Sequence, residues 1–91
     1  MKLEWDEAKR QSTLEQRGLD FADAAMLLND IYIVQEDDRK SYPERRFLTY
    51  GFLKQRLVMF AWTPTESGMR IFSMRKCNDR EQSKFEHWLG R

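Results

Sequence analysis

Arg46-Phe47-Leu48-Thr49-Tyr50-Gly51-Phe52, then Leu57-Val58-Met59-Phe60-Ala61-Trp62-Thr63, then Arg70-Ile71-Phe72-Ser73-Met74-Arg75: these three runs decide the fold. Each has strand length and is bounded by turn signals. Lys54-Gln55 gives the first two a tight turn, and Pro64 to Gly68 gives the last two another. The middle run is almost wholly apolar, which predicts a central strand covered on both faces. In the third run, strict alternation puts Ile71, Ser73 and Arg75 on one side and Arg70, Phe72 and Met74 on the other.

Working outward, Ile31-Tyr32-Ile33-Val34 reads as a further short strand, and the charged stretch from Glu36 to Glu44, with Pro43, as a loop. Glu7 to Arg17 predicts a helix, with Asp6 as its N-cap and Gly18 just past its end. Phe21 to Leu28, capped by Asp20, predicts a second. Asn78 and Glu81 have capping-box spacing, and Phe85, Trp88 and Leu89 form an i, i+3, i+4 stripe, so a last helix closes the chain at Gly90. The predicted fold is therefore α+β: one domain over residues 1–91, with two N-terminal helices, a four-stranded antiparallel meander and one C-terminal helix.

Ninety-one residues suffice for one domain. One cysteine, Cys77, and one histidine, His87, allow neither an internal disulfide nor a structural Cys/His metal site. No apolar run reaches membrane-spanning length, and the acidic, aromatic N-terminus is not a signal peptide, so a cytoplasmic protein is expected. Neither a metal nor another cofactor is expected. Residues 1–38 hold four basic and ten acidic residues, a net of −6, whereas residues 39–91 hold twelve basic and five acidic, a net of +7. Either the basic half draws a polyanion such as RNA, or the two halves attract each other in the fold.

No phosphate loop, nucleophile elbow or spaced acidic cluster is present. Cys77 reads as a small buried residue where a strand meets a helix, and His87 as a solvent-facing helix residue or a proton carrier. The arginines are the better candidates. Cleavage of RNA by its own 2′-hydroxyl builds negative charge on phosphorus, and arginine offers a permanently charged fork to phosphate oxygens. Arg46 and Arg75 are the candidate catalytic residues, clamping one phosphate if they lie across the sheet from each other. Arg70, Ser73, Lys76, Arg80 and Arg17 are candidate RNA-binding residues. The competing reading pairs the strand-end arginines with Glu44, Glu81 or Glu86. Tyr50 and Trp62 read as core or as base-stacking platforms. No side chain is marked out as the general base.

Three collinear stretches carry a resemblance. Leu3-Glu4-Trp5-Asp6-x-Ala8-Lys9 with Gly18-x-x-Phe21-x-x-Ala24 is similar to the start of BrnT proteins. Glu44-Arg45-Arg46-Phe47-x-x-x-Gly51 resembles their E-E-R-F-x-x-x-G strand. Arg70-Ile71-x-Ser73-x-Arg75-Lys76, then Arg80-Glu81, resembles R-I-I-S-A-R-K-A-T-x-R-E. Thr13, Arg17, Cys77-Asn78 and Phe85 depart from the family pattern, and Arg17 stands where the family has a histidine. The resemblance implies a RelE-like fold and a type II toxin, a metal-independent endoribonuclease that arrests translation. It implies a BrnA-like ribbon-helix-helix antitoxin as partner, with DNA reached only through that antitoxin. The alternative is a degenerate toxin that binds antitoxin or RNA without cutting.

Overall fold

The computed structural model describes residues 2–90. Nine elements follow in order: β1 (Lys2–Trp5), α1 (Glu7–Arg17), a 3-10 turn (Phe21–Asp23) running into the single-turn α2 (Ala24–Leu27), β2 (Tyr32–Glu36), β3 (Phe47–Leu53), β4 (Arg56–Pro64), β5 (Gly68–Lys76) and α3 (Asp79–Trp88). The strands form one sheet in the order β1-β5-β4-β3-β2.

The α+β class stands, but the four-stranded antiparallel meander does not. The sheet has five strands and is mixed, because β1 pairs parallel to β5 with Lys2 opposite Gly68 and Trp5 opposite Ile71. The second expected helix, Phe21 to Leu28, is a 3-10 turn followed by one α-turn. The opening residues Lys2 to Trp5 are too short to announce a strand; their partner lies more than sixty positions away.

The capping signals hold. The Asp6 carboxylate accepts from the Ala8 and Lys9 amides, and Gly18 takes the left-handed conformation, φ 69°. Asn78 and Glu81 close a reciprocal capping box on α3. Lys54 and Gln55 both have positive φ, 48° and 69°, as a two-residue hairpin turn of the mirror-image type requires.

Each side of the sheet has its own core. Val58 and Phe60 of β4, Ile71 and Met74 of β5, and Leu53 of β3 pack against Leu19, Phe21, Ala24 and Leu27 beneath α1 and α2. On the other side Tyr50, Leu57, Met59 and Cys77 pack against Phe85 of α3. β4 is the middle strand, with Leu57 to Ala61 all buried, as its apolar run predicts. Gly51 lets α2 approach β3: a Cβ there would lie 2.6 Å from Leu27 Cδ2.

One irregularity sets the site. The β4–β5 register shifts between Ala61 and Trp62: Ser73 faces Ala61, Ile71 faces Trp62, and Phe72 is the extra residue. Such a bulge inverts the alternation on its far side. Arg75 lies opposite Met59, in the α3-side core, and Met74 opposite Phe60, in the other. Ile71 therefore shares a face with Met74 and not with Arg75. The strict alternation read from the sequence fails here, although Ser73 and Arg75 do share a side. Arg70, opposite Thr63, joins that side too.

Candidate functional site

α3 covers one end of its sheet face. At that end, ring packing of Phe52 on Phe85 (5.4 Å) and of Tyr50 on Trp88 (5.8 Å) seals the core. Phe72, Ser73 and Leu48 stay half-buried. Between α3 and the loop after β2 lies a cleft of about 260 Å³, lined among others by Asp37, Arg39, Tyr50, Met59, Arg75 and Glu81. A smaller hollow formed by Tyr50, Arg80, Glu81, Lys84 and Trp88 adjoins it.

Arg75 is fixed on this face by Glu81. Its two Nη atoms donate to the two carboxylate oxygens at 2.8 and 2.7 Å, a parallel fork. The same carboxylate accepts from the Asn78 amide at 3.0 Å. These bonds, the Arg75 contact foremost, hold the Glu81 carboxyl down to about 2, so it is ionised throughout the neutral range. Burial raises the phenol of Tyr50, beside the pair.

Arg46 precedes β3, at the opposite end of the face. Its guanidinium carbon lies over the Tyr42 ring at 4.2 Å and over the Phe72 ring at 4.8 Å. Its Nε donates to Glu44 at 2.9 Å. Neither Nη atom has a protein acceptor among the described residues. Two aromatic faces and one carboxylate thus orient the group and leave its outer fork open.

The register separates the two candidate catalytic arginines. The Thr63 hydroxyl donates to the Arg45 carbonyl, which sets Arg46 near the level of Thr63, whereas Arg75 pairs with Met59. Four strand steps make about 13 Å along the sheet. The condition for clamping one phosphate, that Arg46 lie across from Arg75, is not met. Both arginines are ion-paired, Arg46 with Glu44 and Arg75 with Glu81.

The other candidates divide by face. Arg70, Ser73 and Arg80 share the α3 side with Arg75. Lys76 pairs with Val58, on the α1 side, and lines a hollow there with Gly18, Lys54 and Arg56. Arg17, also on that side, donates to the Met74 carbonyl at 2.8 Å. Trp62 belongs to the α1-side core, its indole donating to Thr49 Oγ1 at 2.8 Å. Cys77 is buried, and burial pushes its thiol up to about 11. His87 is exposed and lines neither cleft.

Sequence reading missed Tyr42, Phe72 and the loop trio Asp37–Arg39–Tyr42, in which buried Asp37 accepts from both other side chains. An aspartate two before an arginine inside an apparent loop is the one signal that pointed there. Among the described residues no three His, Cys, Asp or Glu side chains converge as metal ligands.

The sequence pattern of BrnT, the ribonuclease toxin of type II toxin–antitoxin systems, matches residues 5–81. The chain belongs to the BrnT family. No curated protein matches it significantly. The matched span runs from Trp5, the last residue of β1, through β5 and ends on Glu81 in the first turn of α3, so both arginine sites lie inside the BrnT pattern. No helix of this BrnT chain, among the described residues, is long and apolar enough to cross a membrane.

Proposed function

We propose that this chain is an endoribonuclease toxin that cuts RNA without a metal ion, arrests translation in the cytoplasm, and is neutralised by a BrnA-like ribbon-helix-helix antitoxin through which alone it meets DNA. The observation that carries the reading is Arg46: a guanidinium against two aromatic rings and bound at Nε by Glu44, with neither Nη atom taken by a protein acceptor among the described residues. In the reaction a 2′-hydroxyl gives up its proton to water as its oxygen attacks the adjacent phosphorus, the bond to the 5′-oxygen breaks to leave a 2′,3′-cyclic phosphate, and the 5′-oxygen takes up a proton from water. The five-coordinate intermediate carries added negative charge, which a pre-oriented arginine stabilises without reorganising.

Arg46 binds the scissile phosphate in this proposal. Arg75, about 13 Å along the sheet by strand rise, holds the strand at a second point, with Arg70, Ser73 and Arg80 extending the track. Lys76 and Arg17, on the other side of the sheet, stand outside this track.

Two observations favour a second reading, a module that binds without cutting. Both Nη atoms of Arg75 are taken by Glu81, and Arg17, at the family's histidine position, is engaged with a backbone carbonyl. Cleavage of a purified RNA in EDTA decides. Wild type cuts, and Arg46→Ala and Arg75→Ala each lose at least about tenfold, or about 1.4 kcal/mol of transition-state stabilisation, with the fold unchanged by circular dichroism. If wild type leaves both free RNA and RNA in translating ribosomes intact, the second reading replaces the first.

A further inference from the structure

The side of the sheet away from Arg46 and Arg75 carries an apolar groove of about 460 Å³, between α2, the edge strand β2 and the sheet. Leu28, Tyr32, Val34, Phe47, Trp62 and Met69 line it, and no charged side chain does. Two of its lining side chains stand open to solvent, Tyr32 at 43% and Val34 at 45% exposed, and Ile31, next in the chain to Tyr32, is 50% exposed. Isolated exposed apolar residues are ordinary, but a contiguous set around a groove marks a contact surface.

The edge is equally bare. β2 pairs only with β3, so one row of its amides and carbonyls has no strand partner. Edge strands are usually blunted by lysine, proline or a bulge. Tyr32-Ile33-Val34-Gln35-Glu36 has none of these.

Charge selects the occupant. Residues 18–38, which supply α2 and β2, hold six acidic residues and no lysine or arginine. Asp20, Glu36 and Asp37 are paired with Arg10, Arg45 and Arg39. Asp23 and Asp30, which flank α2, make no ion pair among the described residues, so this flank of the groove keeps its negative charge, whereas Asp38 lines the α3-side cleft. RNA is repelled from such a surface, and so is a second copy, which would set two acidic edges against each other.

We infer that this groove and the free edge of β2 are the docking site for an extended segment of the antitoxin, one whose alternate apolar side chains fill the groove and whose flanks carry lysine or arginine. The segment adds a sixth strand beside β2, taking affinity from main-chain bonds and specificity from the groove. The inference rests on the toxin–antitoxin membership for the existence of a protein partner and is independent of RNA cleavage. The anchor lies behind the arginine face, so binding and catalysis are separable by mutation.

The test is titration calorimetry of the full chain with the antitoxin encoded beside it. Tyr32→Asp/Val34→Asp, two exposed positions, lowers affinity at least a hundredfold while RNA cleavage and thermal unfolding stay as in wild type. Asp23→Lys/Asp30→Lys lowers affinity at least tenfold at 50 mM salt and less at 500 mM. Amide exchange on the wild-type complex, which needs no variant, slows at least tenfold across residues 32–36. Affinity within threefold of wild type for the first variant, with β2 amides exchanging as in the free chain, overturns the proposal. So does a dimer of the free chain that Val34→Asp dissociates, since a second copy would then own the groove. A chain that cuts no RNA yet binds the antitoxin at β2 would sink the ribonuclease reading and leave this one standing.

Discussion

Glu81 holds the last strand, the last helix and Arg75 with one carboxylate: it closes the α3 cap, accepts the Arg75 fork and fixes where that guanidinium sits. Its pKa, about 2 in the fold against the usual 4.5, is lowered by Arg75 first. A carboxyl whose folded value is depressed leaves the unfolded chain holding more protons between the two values. Its contribution is full above about 4.5 and drains as pH falls toward 2. Allowing for solvent around the half-exposed Arg75, that contribution is about 1–2 kcal/mol. Urea unfolding is therefore expected to show Glu81→Gln less stable than wild type by about that amount at pH 7, with the gap closing toward pH 2. A constant gap across this range would mean the pair contributes nothing beyond the cap.

At the scale of elements, β1 is the instructive case. Four residues suffice for a strand only because β5 supplies the ladder, and the approach is close at Gly68. A Cβ there would lie 1.9 Å from the Lys2 carbonyl oxygen and 2.6 Å from the Lys2 nitrogen, both backbone atoms. Gly68→Ala is thus expected to cost about 2–3 kcal/mol, since neither strand can yield as a side chain would. It should also release β1, read as faster amide exchange over residues 2–5. An unchanged melting temperature would show the parallel pairing to be dispensable. The bulge at Phe72 matters as much to function: it turns Phe72 beneath Arg46, brings Arg75 onto the α3 face and leaves Lys76 on the other.

Across the whole molecule, the uneven charge of the two chain halves resolves into partly paired surfaces. Glu36–Arg45 crosses between the halves, as mutual attraction of the halves expects, while Arg10–Asp20 joins residues within the acidic half. The RNA track proposed on the α3 face has four cations, Arg46, Arg70, Arg75 and Arg80. Single-strand contacts release about 0.7 counterions each, so the slope of log affinity against log salt is expected to be no steeper than about −3. Arg70→Ala is expected to flatten it by about 0.7, and Lys76→Ala to leave it unchanged. Equal flattening by both would place RNA across both sides of the sheet. The caps at Asp6, Gly18 and Asn78, the turn at Lys54-Gln55, the buried run of β4, the buried thiol of Cys77 and the three BrnT stretches were all legible in the sequence. Each is a local pattern, settled within a few residues by backbone hydrogen bonding, turn geometry or the burial of apolar atoms. The strand β1, the Phe72 bulge, the ring pair around Arg46, the distance between Arg46 and Arg75, and the apolar groove behind them were decided by tertiary structure alone. Each depends on which distant segment lies alongside, and a strand's side-chain direction depends on its neighbour's register, which no single strand encodes.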